Sequence, residues 1–298
     1  MRVKISAVEG NRQRLDGGAM FGNAPRLVWQ KWFSPDPYHR IELACRALLV
    51  EYHGLKVLCE TGIGAFFPPT LAERYGVQTP ETPQLLVSLA KLGISPDDIT
   101  HVVLSHLHFD HAGGLLPTYA EQQQGITALN FPRARYMVSQ GAWDRALHPH
   151  QRDRASFIPG LTEQLLASGR LEIIAPDEKH LPCAPEVFSL HYSSGHTPEQ
   201  MHVLVRGREE QVFFCGDLIP GLAWLHTPIT MGYDRFPEQL IDEKAALTSR
   251  AAHENWFLFF THDPSVVMSR CHLALNAGKE DKILPLDPQP TVIRYTLS

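Results

Sequence analysis

The chain has 298 residues, 44% of them hydrophobic, and 27 Lys and Arg against 32 Asp and Glu give a formal net charge of −5. That suffices for one large globular domain or two small ones, and with no basic stripe it argues against nucleic acid or an anionic membrane as main partner. The start, MRVKISAVEG, lacks the apolar stretch of a signal peptide, and the longest apolar runs, such as residues 256–260, are far too short to span a bilayer, so the expected location is the cytoplasm.

Along the chain, residues 1–40 are rich in Gly, Pro and aromatics, and read as an irregular arm packed near the rim of an active site. One domain is expected over residues 1–298, with that arm included. Residues 41–52 and 56–59 read as a hairpin around His53 and Gly54. Leu85, Leu86, Leu89 and Leu92 mark a helix stopped by Gly93. Residues 99–105 form a short β-branched run, read as a buried strand. Residues 135–138 resemble a strand, after which Ser139 and Thr162 are placed to cap helices. Strands are expected at 171–175, 187–192, 201–206 and 211–215. A helix should follow from Pro237 to about Ala252, and residues 256–261 are the last clear strand. Strands in consecutive pairs, with helices between the groups, favour two packed sheets covered by helices over a doubly wound parallel sheet.

Directly after the 99–105 run comes His106-Leu107-His108-Phe109-Asp110-His111. Alternate residues of an extended chain face one way, so His106 and His108 can share a metal. A turn beyond them sends Asp110 and His111 to a neighbouring point. Nitrogen and oxygen donors in this density suit zinc or another first-row metal. Three later apolar runs also end in a donor: His196, Asp217 and His262. Each is an ordinary turn residue by itself, but together with the first cluster they complete two coordination shells.

The five cysteines, Cys45, Cys59, Cys183, Cys215 and Cys271, are odd in number and form no CxxC pair, which fits a reducing compartment without a disulfide framework or thiolate zinc. Cys215 would face the same side as Asp217, but reads as a small buried hydrophobe. Asp263 reads as a capping or supporting group, Asp16 as a turn residue, and His101, His191 and His202 as structural. Ser105 is expected to be buried rather than nucleophilic.

His106, His108, Asp110 and His111, followed in order by His196, Asp217 and His262, resemble the HxHxDH pattern and later ligands of the metallo-β-lactamase superfamily. The resemblance implies an α/β fold: an αβ/βα four-layer sandwich of two mixed sheets with helices outside. It implies that His106, His108 and His196 hold one metal, that Asp110, His111 and His262 hold a second, and that Asp217 bridges them. The segments DGGAMFG at 16–22, Glu60-Thr61-Gly62, and 217–220 through 231–234 look like a bacterial branch of quorum-quenching lactonases and related hydrolases.

On this reading the protein is a hydrolase that opens a lactone or carboxylic ester by attack of a metal-bridging hydroxide. Asp110 would orient the hydroxide and carry its proton. The cofactors are two divalent ions per chain, zinc first, with manganese, iron or cobalt as alternatives. The partner is a small-molecule substrate, and a homodimer is compatible with this. Met20, Phe21, Trp224, His226 and Tyr233 are the candidates for substrate contact, with Trp29, Trp32 and Phe33 nearby in an apolar surround. A related lactonase group carries Tyr three residues after the bridging Asp. Here that position is Pro220, which leaves Tyr233 or His226 to replace it. No Lys or Arg is close to a ligand motif in sequence, so lactones with apolar tails are expected to be better substrates than carboxylate-bearing β-lactams. The rival readings are a phosphotriester or phosphodiester hydrolase, and a mononuclear iron oxygenase acting on thiols.

Overall fold

The computed structural model describes residues 2–274 and 282–298. Its strands in the first half of the chain are β1 (Val3–Glu9), β2 (Gln13–Asp16), β3 (Arg40–Leu43), β4 (Arg46–Tyr52), β5 (Leu55–Cys59), β6 (His101–Val103) and β7 (Arg135–Ser139). The rest are β8 (Leu171–Ile174), β9 (Phe188–Ser193), β10 (Gln200–Arg206), β11 (Gln211–Phe214), β12 (Phe257–Phe259), β13 (Met268–Ala274), β14 (Lys282–Gln289) and β15 (Tyr295–Leu297).

One mixed sheet runs β15-β1-β4-β5-β6-β7-β8, and a second runs β14-β13-β12-β11-β10-β9. The period-2 alternation of the strands decides how they stack. Leu48 and Val50 of β4 meet Val203 and Val205 of β10 and Phe257 and Phe259 of β12 in the core between the sheets. Their neighbours Ala47 and Leu49 face outward, onto Leu85 and Leu89 of the helix Gln84–Lys91 and Trp143 of the helix Gln140–Leu147. On the far side Leu204, Phe213 and Leu258 pack against Leu240 and Ala251 of the helix Pro237–Glu254. The result is four layers, helices–sheet–sheet–helices. Among the described residues no helix is long and apolar enough to cross a membrane.

The 41–52 stretch is two strands rather than one. β3 pairs with β2 in a separate two-stranded sheet, and β4 belongs to the large sheet. Between them Ala44 and Arg46 donate backbone hydrogen bonds to His262 O and Thr261 O, tying the chain to the opposite sheet and bending it away from one straight strand. The expected turn at His53 and Gly54 is present, both with positive φ, as a two-residue hairpin requires.

The arm is also more regular than expected. After β2, Asp16 caps the short helix Gly17–Phe21 by accepting from Ala19 N at 2.8 Å. Residues 256–261 are the last clear strand by sequence, yet three more follow: β13, β14 and β15. β14 reads KILPLDPQ, and its prolines are tolerated because it lies at a sheet edge.

Candidate metal centre

The parallel strands at the centre of the two sheets end at one edge of the sandwich. β5 and β6 run parallel in one sheet, β11 and β12 run parallel in the other, and residues just beyond them supply Glu60, His106, Asp217 and His262. After β6 the chain stays extended to His108 and then turns into the short helix Phe109–Ala112, which redirects Asp110 and His111. That turn packs backbone to backbone on residues 61–64. A Cβ on Gly113 would sit 2.2 Å from Ile63 O, and one on Gly114 would sit 2.1 Å from Thr61 O. The two glycines therefore serve close approach of the two backbones.

Two donor groups result. His106, His108 and His196 form one, and Asp110, His111 and His262 form the other, with the donor atoms of each group within 4.8 Å of one another. In the first group His106 Nε2 lies 2.9 Å and His196 Nε2 lies 3.3 Å from His108 Nδ1. Asp217 lies between the groups: Oδ2 is 3.2 Å from His196 Nε2, while Oδ1 is 3.3 Å from His111 Nε2 and 3.1 Å from His262 Nε2. Asp217 Oδ1 is buried without a properly aligned hydrogen bond. Buried carboxylate and imidazole lone pairs that converge without donors between them suit a pair of cations.

Four of the five outer ring nitrogens face a partner, while His108 Nε2 is buried without one. Ser105 Oγ lies 2.8 Å from His106 Nδ1, Asp234 Oδ1 lies 2.9 Å from His196 Nδ1, and Glu60 Oε2 lies 2.6 Å from His111 Nδ1. His262 Nδ1 donates to Ala44 O at 2.7 Å. Such partners fix ring orientation and tautomer, leaving the inward nitrogen free to donate its lone pair. Glu60, His106 and His111 also lie close enough to form a third donor group. Glu60 approaches His111 from its outer nitrogen, however, while Asp217 and His262 face the inner one, so Glu60 supports the ring from behind.

Electrostatics divide the imidazoles. Burial, then the neighbouring imidazoles, push His106 and His108 well below the usual imidazole range. Burial also pulls His111 and His262 down, but the Asp217 charge and its supporting contacts outweigh it and hold both well above that range. For Asp217 burial pulls upward, and His111, His196 and His262 outweigh it, so its carboxyl lies well below the usual range. His106 and His108 offer neutral lone pairs, whereas His111, His262 and also His196, which Asp217 and Asp234 hold above the usual range against its burial, attract positive charge, an arrangement that divalent cations satisfy.

The donors form the floor of a cavity of about 390 Å³, where His108, Asp110, His196, Asp217 and His262 are joined by Met20, Tyr75, Phe109, Met231 and Tyr233. Of the five candidates for substrate contact, Met20 and Tyr233 line this cavity. Tyr233 is exposed along the cavity wall, and local desolvation of its phenol, then the Asp110 charge, pushes it up to about 12. Phe21 and Trp224 are fully buried and stacked at 4.6 Å, and Trp224 Nε1 donates to Met20 O at 2.9 Å. His226 lies against the Trp32 ring at 5.2 Å and does not line the cavity.

Cys215 lies in the apolar layer under the helix Pro237–Glu254. Asp263 accepts from Leu222 N, Ser265 N and Val266 N, so it holds two turns. His202 is buried between Ser193 Oγ and Phe214 O, and burial pushes it down to about 3.

Four supporting residues escaped the sequence reading. Gln13 of β2 donates from Nε2 to Asp110 Oδ2 at 2.7 Å, inside the protein. Nothing in the local sequence marks it. Glu60 and Asp234 stand in segments noted above only for their look, and carboxylates in turns are usually just turn residues. Lys244 is buried beneath the loop that carries Met231, Tyr233 and Asp234, and its Nζ donates to His226 O and Ile229 O. Burial, partly offset by Asp234, pulls its ammonium down to about 7.

The family model for the metallo-β-lactamase superfamily matches residues 40–262. Among curated proteins, an N-acyl homoserine lactonase AiiB of Agrobacterium fabrum is 33% identical over 132 residues, 42% of each chain. An N-acyl homoserine lactonase of Bacillus thuringiensis is 24% identical over 190 residues, 61% of this chain and 63% of that one. Both matches thus span less than two thirds of the curated relative. Among solved structures, a probable metal-dependent hydrolase from Staphylococcus aureus superposes with a TM-score of 0.82 at 22% identity, covering 98% of both chains. A dizinc quorum-quenching lactonase superposes with a TM-score of 0.73 at 21% identity, covering 95% of this chain and 94% of that one.

Proposed function

From the premise that this chain belongs to the metallo-β-lactamase superfamily, we propose that it is a metal-dependent hydrolase that holds two divalent ions, zinc first, and opens lactones or carboxylic esters. The observation that carries the two-ion reading is Asp217: one carboxylate oxygen faces His196 while the other faces His111 and His262. His106, His108 and His196 would hold one ion, Asp110, His111 and His262 the other, and Asp217 both. Ions so held would lower the pKa of a bound water and polarise a carbonyl.

The chain's own groups do the rest. Gln13 fixes one oxygen of Asp110, leaving its carboxylate aimed at the cavity floor. Asp110 takes the proton as a water oxygen bonds to the acyl carbon. As the acyl–oxygen bond breaks, Asp110 returns that proton to the departing oxygen, and an open-chain hydroxy acid leaves. Tyr233 lines the same cavity, and its phenol stays protonated at neutral pH, so it is able to donate a hydrogen bond to the acyl oxygen in the place of the tyrosine missing at Pro220. Lactonase relatives support the substrate class.

The test is acid release measured by pH-stat on lactones, aryl esters, β-lactams and phosphodiesters with metal-loaded protein. Lactones or esters should be turned over best. Faster turnover of the phosphodiester or the β-lactam than of every lactone and ester would refute the assignment.

A further inference from the structure

The walls of the cavity have a composition that the chain's overall charge does not suggest. Arg14, Arg40, Arg74 and Arg152 all line it, arriving from β2, β3, the helix Pro69–Arg74 and the loop after residue 148. No Lys or Arg is close to a ligand motif in sequence, yet the fold brings these four to the site from distant segments. Their own partners leave much of this charge uncompensated. Arg40 is paired with Asp36 at 2.9 Å. Arg14 lies 3.5 Å from Glu42, which already accepts from Arg12 at 2.6 Å and Gln78 at 2.8 Å. Among the described residues Arg74 and Arg152 have no carboxylate within 4.0 Å. Arg74 lies over the Tyr75 ring, and Arg152 donates to Gly232 O at 2.8 Å. Both are exposed at the rim.

The acidic residues of the cavity do not answer them. Asp16 caps a helix, while Asp110 and Asp217 belong to the floor. In a chain of net charge −5, a mouth where positive charge predominates over a buried reaction centre is a local feature of the substrate's path. Guanidinium groups recognise carboxylate and phosphate oxygens in paired hydrogen bonds.

We propose that the substrate carries an anionic group, a carboxylate or a phosphate, away from the bond that is cleaved, and that Arg74 and Arg152, with Arg14 beside them, receive it at the cavity mouth. This rests on the hydrolase reading above and narrows its substrate class to lactones or esters that carry an acidic group, in place of the apolar tails expected from sequence.

The test uses two pairs of compounds, each an acid and its methyl ester: a γ-lactone with a carboxylate-terminated side chain, and the 4-nitrophenyl monoester of glutaric acid. A phosphate-terminated lactone is added to distinguish the two anions. Wild type should show a kcat/KM about tenfold higher on the acid than on its methyl ester, falling as salt is raised. Arg74→Gln with Arg152→Gln should remove most of that preference, chiefly through KM, and change kcat/KM on the methyl esters far less. Arg133→Gln, outside the cavity, serves as the control. Equal or better turnover of the methyl esters, or a preference for the acid that survives the double substitution, overturns the proposal.

If the lactones are inert and the aryl ester pair shows the effect, the lactone reading fails and the anion assignment stands. A readout independent of turnover is calorimetric titration with glutarate. Its Kd should weaken about tenfold in the double variant, and an unchanged Kd would overturn the assignment even if no compound is hydrolysed.

Discussion

The floor and the mouth of the cavity are built on different terms. On the floor the donors are buried or nearly so, and four of the imidazoles are gripped from behind: His106 by Ser105, His196 by Asp234, His111 by Glu60 and His262 by Ala44 O. At the mouth, Arg74 and Arg152 are exposed and have few partners. Charges fixed in a low-dielectric floor act strongly and cannot adapt, whereas exposed guanidinium groups are screened and mobile. The contrast assigns the chemistry to the floor and the selection of substrate to the mouth.

The largest effect that would sharpen this contrast belongs to Asp110. Asp110→Asn should lower kcat by about 10²-fold or more, the range for a general acid–base group. Metal content is measured in parallel to separate proton transfer from binding. Gln13→Leu removes only the hydrogen bond that orients Asp110, and should cost about 10- to 100-fold, the range for a residue that positions a ligand. Near-normal turnover of both variants would remove the arm's strand from the reaction.

A second effect is pH-dependent. Without metal, His111 and His262 keep their protons well above the usual imidazole range. Folded pKa values raised in this way stabilise the metal-free fold fully below about 6.5, the unfolded value, and that stabilisation is lost as pH rises through the folded values. Metal must displace the same protons, so it binds more tightly as pH rises. The gap in Tm between metal-loaded and metal-free protein should widen from pH 6.5 upward. A constant gap would mean that the second donor group does not exchange protons for metal.

The smallest effect on turnover is expected at Phe21, which the arm's sequence offered as a substrate contact. Phe21 is fully buried and packs on Trp29, Phe33 and Trp224. Phe21→Ala should cost about 3–5 kcal/mol of stability, as truncating a core aromatic does. The KM of the folded fraction should not depend on substrate tail length. A KM that rises with tail length while Tm holds would return Phe21 to the pocket.

The same division governed what could be read from sequence. His106 to His111, His196, Asp217 and His262 stand out because each follows an apolar run, and such runs bring their ends to a common sheet edge. Residues that act on these donors from behind carry no such mark. Gln13 is one amide in a short strand, and its relation to Asp110 spans 97 residues. The arginines escaped for a related reason: they converge from four separate segments, and proximity in sequence was the wrong measure of proximity to the site. Of the strands after residue 261, β14 was hidden by Pro285 and Pro288, which break the usual strand signal but suit an edge.

The two-ion floor is the centre of this account, and metal content tests it most directly. Purified, metal-loaded wild type should contain close to two divalent ions per chain by plasma mass spectrometry, and His262→Ala should lose most of one while keeping the other. A single tightly held ion in wild type, with neither content nor rate altered in His262→Ala, would contradict it.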